Sequence, residues 1–155
     1  MKRKIPWPLA ATIPLSPGQV AAAKAIGTWK MANTLAKALA KRHSRRWQFF
    51  DFLGPKGRES AGIVDMIAMR KSGAIPDDPA LKRYDLFDMI LIQVKGGSAP
   101  WPSPADVQRL LKVKECYGAK KVVLYQWVHR HSSGWYEWDK EAGNWSETTA
   151  KALFG

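Results

Sequence analysis

Two apolar runs constrain this chain most, because each carries polar residues where a buried strand has little room for them. Gly62-Ile63-Val64-Asp65-Met66-Ile67-Ala68 holds an aspartate, and Phe87-Asp88-Met89-Ile90-Leu91-Ile92-Gln93-Val94-Lys95-Gly96-Gly97 ends on a Gln-x-Lys. Side chains alternate faces along a strand, so Gln93 and Lys95 project together while Ile92 and Val94 pack on the other side. An unpaired buried charge is costly. Asp65 and Lys95 therefore need partners, and the simplest set is each other together with a metal ion or a phosphate.

At 155 residues, with 46% hydrophobic and 11% aromatic content, the chain suits one domain with a real core rather than disorder. Its formal net charge is +12, from 25 Lys and Arg against 13 Asp and Glu. Such an excess favours a polyanion, since each neutralised phosphate releases condensed counterions. Nucleic acid leads, an anionic membrane surface is the alternative, and plain solubility is the bland explanation. A single cysteine, Cys116, excludes an internal disulfide framework and a cysteine-rich zinc site, which fits a reducing compartment, the cytoplasm. The basic, apolar start resembles a signal peptide, but prolines at 6, 8, 14 and 17 interrupt it. No segment is long and apolar enough to span a bilayer, so no membrane partner is expected.

Residues 1–15 read as a basic, Pro-rich arm, and 16–155 as a single domain. Ser16-Pro17-Gly18-Gln19 is a helix start, with Ser16 as N-cap and Gln19 completing a capping box. The helix should run to about residue 40 or 43 and carries Lys24, Lys30, Lys37, Lys41 and Arg42 with no acidic residue before Phe50. A solvated helix usually mixes signs, so an unmixed one suggests an anion partner. A strand over Arg46–Leu53, a second from about Glu59 to Met69, a loop to Tyr84 and a third strand over about Leu86–Val94 follow. Ser103-Pro104-Ala105-Asp106 repeats the start signal for a helix that Gly118 stops; a fourth strand over Lys121–Val128 and a Trp-rich hairpin end the series.

This order, with Asp65 in the second strand and Gln93-Val94-Lys95 closing the third, resembles the PD-(D/E)XK nuclease superfamily, which includes restriction enzymes and archaeal Holliday-junction resolvases. The likeness covers roughly residues 16–130, leaving the arm and the hairpin outside it. It implies an α/β, restriction-endonuclease-like fold, a mixed four-stranded central sheet flanked by helices in the order α-β-β-β-α-β, with the C-terminal hairpin added. It also implies magnesium-dependent cutting of phosphodiesters. Asp65 matches the first Asp of the motif, Gln93 the second acidic position and Lys95 the lysine. Gln93 is the departure, since Glu or Asp is commoner there, although Gln occurs in some family nucleases.

The chemistry also stands without the family. Phosphodiester hydrolysis needs a positioned nucleophile and neutralisation of developing charge, and Mg²⁺ supplies both, with Mn²⁺ able to substitute. One or two carboxylates plus a carbonyl suffice to hold it. Asp65 is the principal carboxylate, the Gln93 side-chain oxygen and Val94 main-chain carbonyl are further ligands, and Lys95 activates water or stabilises the charged transition state. Glu59 ranks first as an extra catalytic carboxylate; it shares a face with Asp65 but lies six positions away, about 20 Å if fully extended at ~3.3 Å per residue. Asp51 and Asp88 are rivals, Asp88 at an odd step from Gln93 and so facing away.

Bland alternatives stay open: a structural Asp65–Lys95 salt bridge, and a Gln93 that only bonds backbone. Trp135, Trp138 and Trp145 either stack on bases or, more often in a hairpin, close a small core. His129 and His131 lack the companions of a zinc site. Lys112 and Lys114, with the lysines and arginine of the first helix, are candidates for phosphate contacts. The expectation is a metal-dependent DNA endonuclease acting at branched or structured DNA, as a homodimer with two active sites if it works like the resolvases. The alternatives are a non-catalytic nucleic-acid-binding module of the same fold and a basic RNA-binding protein.

Overall fold

The computed structural model describes residues 14–44, 46–53, 62–131 and 133–155. Capping chemistry sets the start of the first helix, α1 (Pro17–His43): the Ser16 hydroxyl accepts the Gln19 N–H at 3.3 Å, and the Gln19 side chain accepts the Ser16 N–H at 2.8 Å. The strands β1 (Gln48–Asp51), β2 (Met66–Lys71) and β3 (Phe87–Gly96) follow. A second capping box, Ser103 with Asp106, opens α2 (Pro104–Tyr117), and Gly118, at φ 61°, closes it. The order ends with β4 (Lys121–Trp127), β5 (Ser133–Asp139), β6 (Asn144–Thr148) and a short helix, α3 (Ala150–Phe154).

These six strands form one sheet in sequence order. β3 and β4 are parallel and the other neighbours antiparallel. A parallel pair needs a crossover, and α2 supplies it. Each face of the sheet consequently has its own core. On one face α1 presents Ala32, Ala36 and Ala40 to Met66, Ala68, Ile90, Ile92, Val94, Val123 and Tyr125. These alanines let the helix lie close to the sheet. α3 joins that face through Phe154, which meets Trp47, Phe49 and Trp135 edge-on at 5.9, 5.2 and 5.4 Å. On the other face α2 buries Leu110 with Leu91, Ala119 and Val122, and the edge-on pair Trp138–Trp145 packs against them. Among the described residues no helix is long and apolar enough to cross a membrane.

Several expectations shift. The hairpin does not stand outside a four-stranded sheet, because β5 pairs with β4 and carries the sheet on to six strands. Its three tryptophans close apolar surface on both faces, as cross-strand packing predicts. α3 was not expected. The second strand begins at Met66, so Asp65 sits immediately before it, and Glu59 falls outside the described residues.

Asp88 does face away from Gln93. It is 2% exposed on the α1 side, where Arg70 Nε donates to it at 3.0 Å and Lys120 Nζ lies 2.6 Å from its other oxygen. Arg70 also lies over the Trp47 ring, 4.5 Å from its centre. Burial pushes the Asp88 carboxyl up, but Lys120, Arg70 and Ser72 outweigh it and hold it below its ordinary 3.8. This depressed carboxyl contributes stability in full above pH 3.8, and the contribution fades as pH falls through its lower folded value. Urea midpoints measured across that range should therefore fall more steeply in the parent protein than in Asp88→Asn.

α1 passes close to β3 at Gly96, where a Cβ would lie 3.0 Å from both the Cγ2 and the carbonyl oxygen of Thr28. No side chain fits there without moving backbone. Gly96→Ala should cost about 1–3 kcal/mol, the usual range for overpacking, seen as a lower urea midpoint with an unchanged slope.

Candidate metal and phosphate site

Because β2 and β3 run antiparallel, the start of β2 lies beside the end of β3, and the Met66–Ile92 pairing sets Asp65 next to Gln93. The Asp65 N–H donates to the Ile92 carbonyl at 3.1 Å, and Asp65 Oδ2 accepts the Val94 N–H at 2.8 Å. Where β2 gives out, a side-chain carboxylate thus continues the ladder. A strand residue presents its N–H and C=O to the same neighbour, which directs the Val94 carbonyl toward Asp65 as well.

The two cores fix the faces. Ile92 and Val94 belong to the α1 side and Leu91 to the α2 side, so Gln93 and Lys95 face α2. Met66 and Ala68 belong to the α1 side and Ile67 to the α2 side; Asp65 precedes β2, and its carboxylate reaches the Val94 N–H at the margin of the sheet. Asp65 and Lys95 are half-buried. Gln93 is only 5% exposed, and its Oε1 has no hydrogen-bond partner. It shares that state with other buried atoms, among them Asn33 Oδ1 and Trp47 Nε1; what sets it apart is its place beside Asp65 and Lys95.

The start of α2 borders the same place. Asp106 is held below its ordinary 3.8, first by the Ser103 hydroxyl at 2.9 Å, then by the Ser103 N–H at 3.2 Å, against a small opposing effect of desolvation, with Arg109 and Lys95 adding to the lowering. Lys95 is therefore within electrostatic reach of the first turn of α2. In the parallel register Lys95 pairs with Gln126, whose parity with Val122 puts it on the same face. Neither Asp106 nor Gln126 was among the expected site residues; the first announced itself only as a cap, and the second depends on strand register.

The candidate phosphate contacts divide between two surfaces. Lys37 pairs with Asp51, so that lysine is engaged and that aspartate faces α1 rather than Asp65. The Asp51 carboxyl is lowered by its hydrogen bond to Lys37 first. Since Thr28 abuts Gly96, the residues before it carry α1 past the end of β3 where Asp65 and Lys95 lie; that segment is exposed and includes Lys24, with Lys30 just after it. Lys41 and Arg42 occupy the far end of α1. Lys112 bonds Glu115 at 3.4 Å, and it and Lys114 ride on α2, across the sheet from α1. His129 meets only the edge of Trp127, at 5.9 Å, and His131 is exposed.

Among the described residues no group of three or more His, Cys, Asp or Glu side chains comes together. The donors at hand are instead the Asp65 carboxylate, the Gln93 side-chain oxygen and the Val94 carbonyl, all hard oxygens. Such a set fits a small divalent cation that keeps several waters, and the orphaned Gln93 Oε1 is the atom such an ion would satisfy. No protein family, curated protein or solved structure matches the chain.

Replacing Gln93 with Met preserves bulk and removes the unsatisfied oxygen, a change that is neutral to stabilising when the lost atom had no partner. Gln93→Met should unfold at an equal or higher urea concentration than the parent, by up to about 1 kcal/mol, while losing the divalent-ion stabilisation that a parent protein titrated with Mg²⁺ or Mn²⁺ should show.

Proposed function

We propose that this protein is a divalent-metal-dependent DNA endonuclease of restriction-endonuclease-like architecture. One observation carries the proposal: the Asp65 carboxylate, bonded to the Val94 N–H at the sheet margin, adjoins Gln93, a buried amide, and Lys95, which share one face of β3. The alternation of one parallel pair with antiparallel neighbours, and helices on both faces, supports the same reading.

Asp65, Gln93 and the Val94 carbonyl would hold the ion. Bound there, a magnesium ion polarises a phosphate oxygen and makes water a better nucleophile near neutral pH. Asp65 is oriented for this by the Val94 N–H, which fixes one carboxylate oxygen at 2.8 Å and leaves the direction of the other determined. Lys95 brings a positive charge, reached through a strand rather than a loop, to the place where negative charge builds on the phosphorus oxygens. The side chain of Gln126 lies beside it in register and can donate to phosphate without changing the charge. The net charge of +12 draws a polyanion to the whole molecule, and Lys24 and Lys30 extend that attraction at the same end of the sheet.

A second reading is favoured by one specific residue. Gln93 is neutral, so it binds a cation less firmly than a carboxylate; on that ground the fold could serve as a binding module without cutting. The two readings separate in one assay. Supercoiled plasmid and a synthetic four-way junction, incubated with the protein in Mg²⁺ or Mn²⁺, should be nicked, and EDTA should abolish it. Asp65→Ala and Lys95→Ala should each slow nicking by about 10²–10³-fold, the scale for removing a group that meets transition-state charge. Gln93→Glu should lower the metal concentration needed. Nicking that persists in both alanine variants rejects the site; tight, salt-sensitive binding with no cleavage by the parent protein selects the binding module.

A further inference from the structure

α2 covers the β3–β4 side of its face of the sheet, and among the described residues no helix covers the β1–β2 side. Gln48 and Phe50 on β1, Met69 and Lys71 on β2 and Phe87 on β3 share that face by strand parity, and with Arg46 they line a shallow groove of about 330 Å³. Phe50 and Phe87 are 52% and 58% exposed, an unusual state for aromatic side chains in regular strands. Scattered exposed apolar residues need no explanation, but these two flank one concavity.

The charge of the groove narrows its occupant. Every ionisable residue lining it is basic, and Arg70, the remaining one, is already committed to Asp88; Arg46 and Lys71 are left exposed. Aromatic faces beside unopposed cations and one amide are the means by which proteins hold unpaired nucleotides, whose bases stack while their phosphates pair. A duplex hides its base faces, so it would gain only the cations. Met69 and Lys71 carry the groove along β2, and Asp65 lies six positions before Lys71, or about 20 Å at ~3.3 Å per residue.

We propose that this groove binds the unpaired strand of a nucleic acid, with bases stacked on Phe50 and Phe87 and phosphates on Arg46 and Lys71, and so selects substrates in which single strand meets duplex. The inference rests on the nuclease reading for its second half, since it names the substrate class of that site. About 20 Å matches roughly six stacked nucleotides at ~3.4 Å each, fewer if the strand is extended.

Fluorescence anisotropy in EDTA separates binding from cutting. The full chain is titrated with a 12-nucleotide single strand, the matching duplex, an abasic strand that keeps every phosphate, and an acidic peptide. Phe50→Ala and Phe87→Ala should each weaken single-strand binding by about 5- to 150-fold, the span of base–aromatic stacking, and leave duplex and abasic binding within twofold. Both rings are more than half exposed, so the variants should melt with the parent; Phe87→Leu, which keeps apolar bulk without a π face, should weaken binding as Ala does. Abasic strand bound as tightly as normal strand, or unchanged affinity in the variants, overturns the proposal, as does a preference for the acidic peptide. If the parent binds by stacking but never cuts, the nuclease reading fails while the groove stands.

Discussion

Through its middle, Ile90–Ile92, β3 is paired on both edges and buried on both faces, with α1 on one side and α2 on the other. A strand so enclosed leaves no solvent for a polar side chain, and each one it carries has to be satisfied locally. Asp88, Gln93 and Lys95 meet that demand differently. Asp88 is answered by Arg70 and Lys120 on the α1 side, an arrangement complete within the protein. Gln93 keeps an oxygen unanswered, and Lys95, half-buried on the same face, lies near enough to Asp106 to help hold its carboxyl low. One end of the strand is closed as structure, and the other stays chemically unfinished.

That asymmetry follows from where β2 begins. Had β2 paired in full with the end of β3, backbone would have occupied the Val94 N–H; because it starts at Met66, the Asp65 carboxylate takes that role. A charged group is thereby set at the sheet margin by a main-chain bond. The parallel β3–β4 pair then places the α2 start beyond the same margin, as open α/β sheets do at the carboxyl ends of their strands.

Much of this was written in local signals. The Ser-Pro-x-Gln and Ser-Pro-x-Asp boxes mark both helix starts by side chains that satisfy specific N–H groups, and Gly118 marks a stop by its left-handed backbone. Alternation placed Gln93 and Lys95 on one face and Asp88 on the other. What failed was non-local. Ile63 and Val64 look like strand because they are apolar, yet their apolarity reflects packing on the α2 core, outside the hydrogen-bonded ladder. The hairpin was visible but its neighbour was not, since periodicity carries no information about which edge a strand joins. α3, at five residues, is too short for a helical period to register. For the site, parity gave the shared face of Gln93 and Lys95, while the orphaned amide, the nearness of Lys95 to Asp106 and the engagement of Lys37 by Asp51 emerge only from tertiary packing.

The α1-side core gathers Ala32, Trp47, Met66, Ile90, Val123, Trp135 and Phe154 into one cluster. Its members are drawn from nearly every segment, so little of it is assembled by turns or hairpins alone, and loop-closure entropy is spent before the contacts return anything. Ile90 reaches its parallel partner Lys121 only after the whole crossover is in place. A topology of that kind places the parallel pairing late on the way to the native state, with the antiparallel β1–β2–β3 meander able to form first, and makes folding slower than local contacts alone would allow.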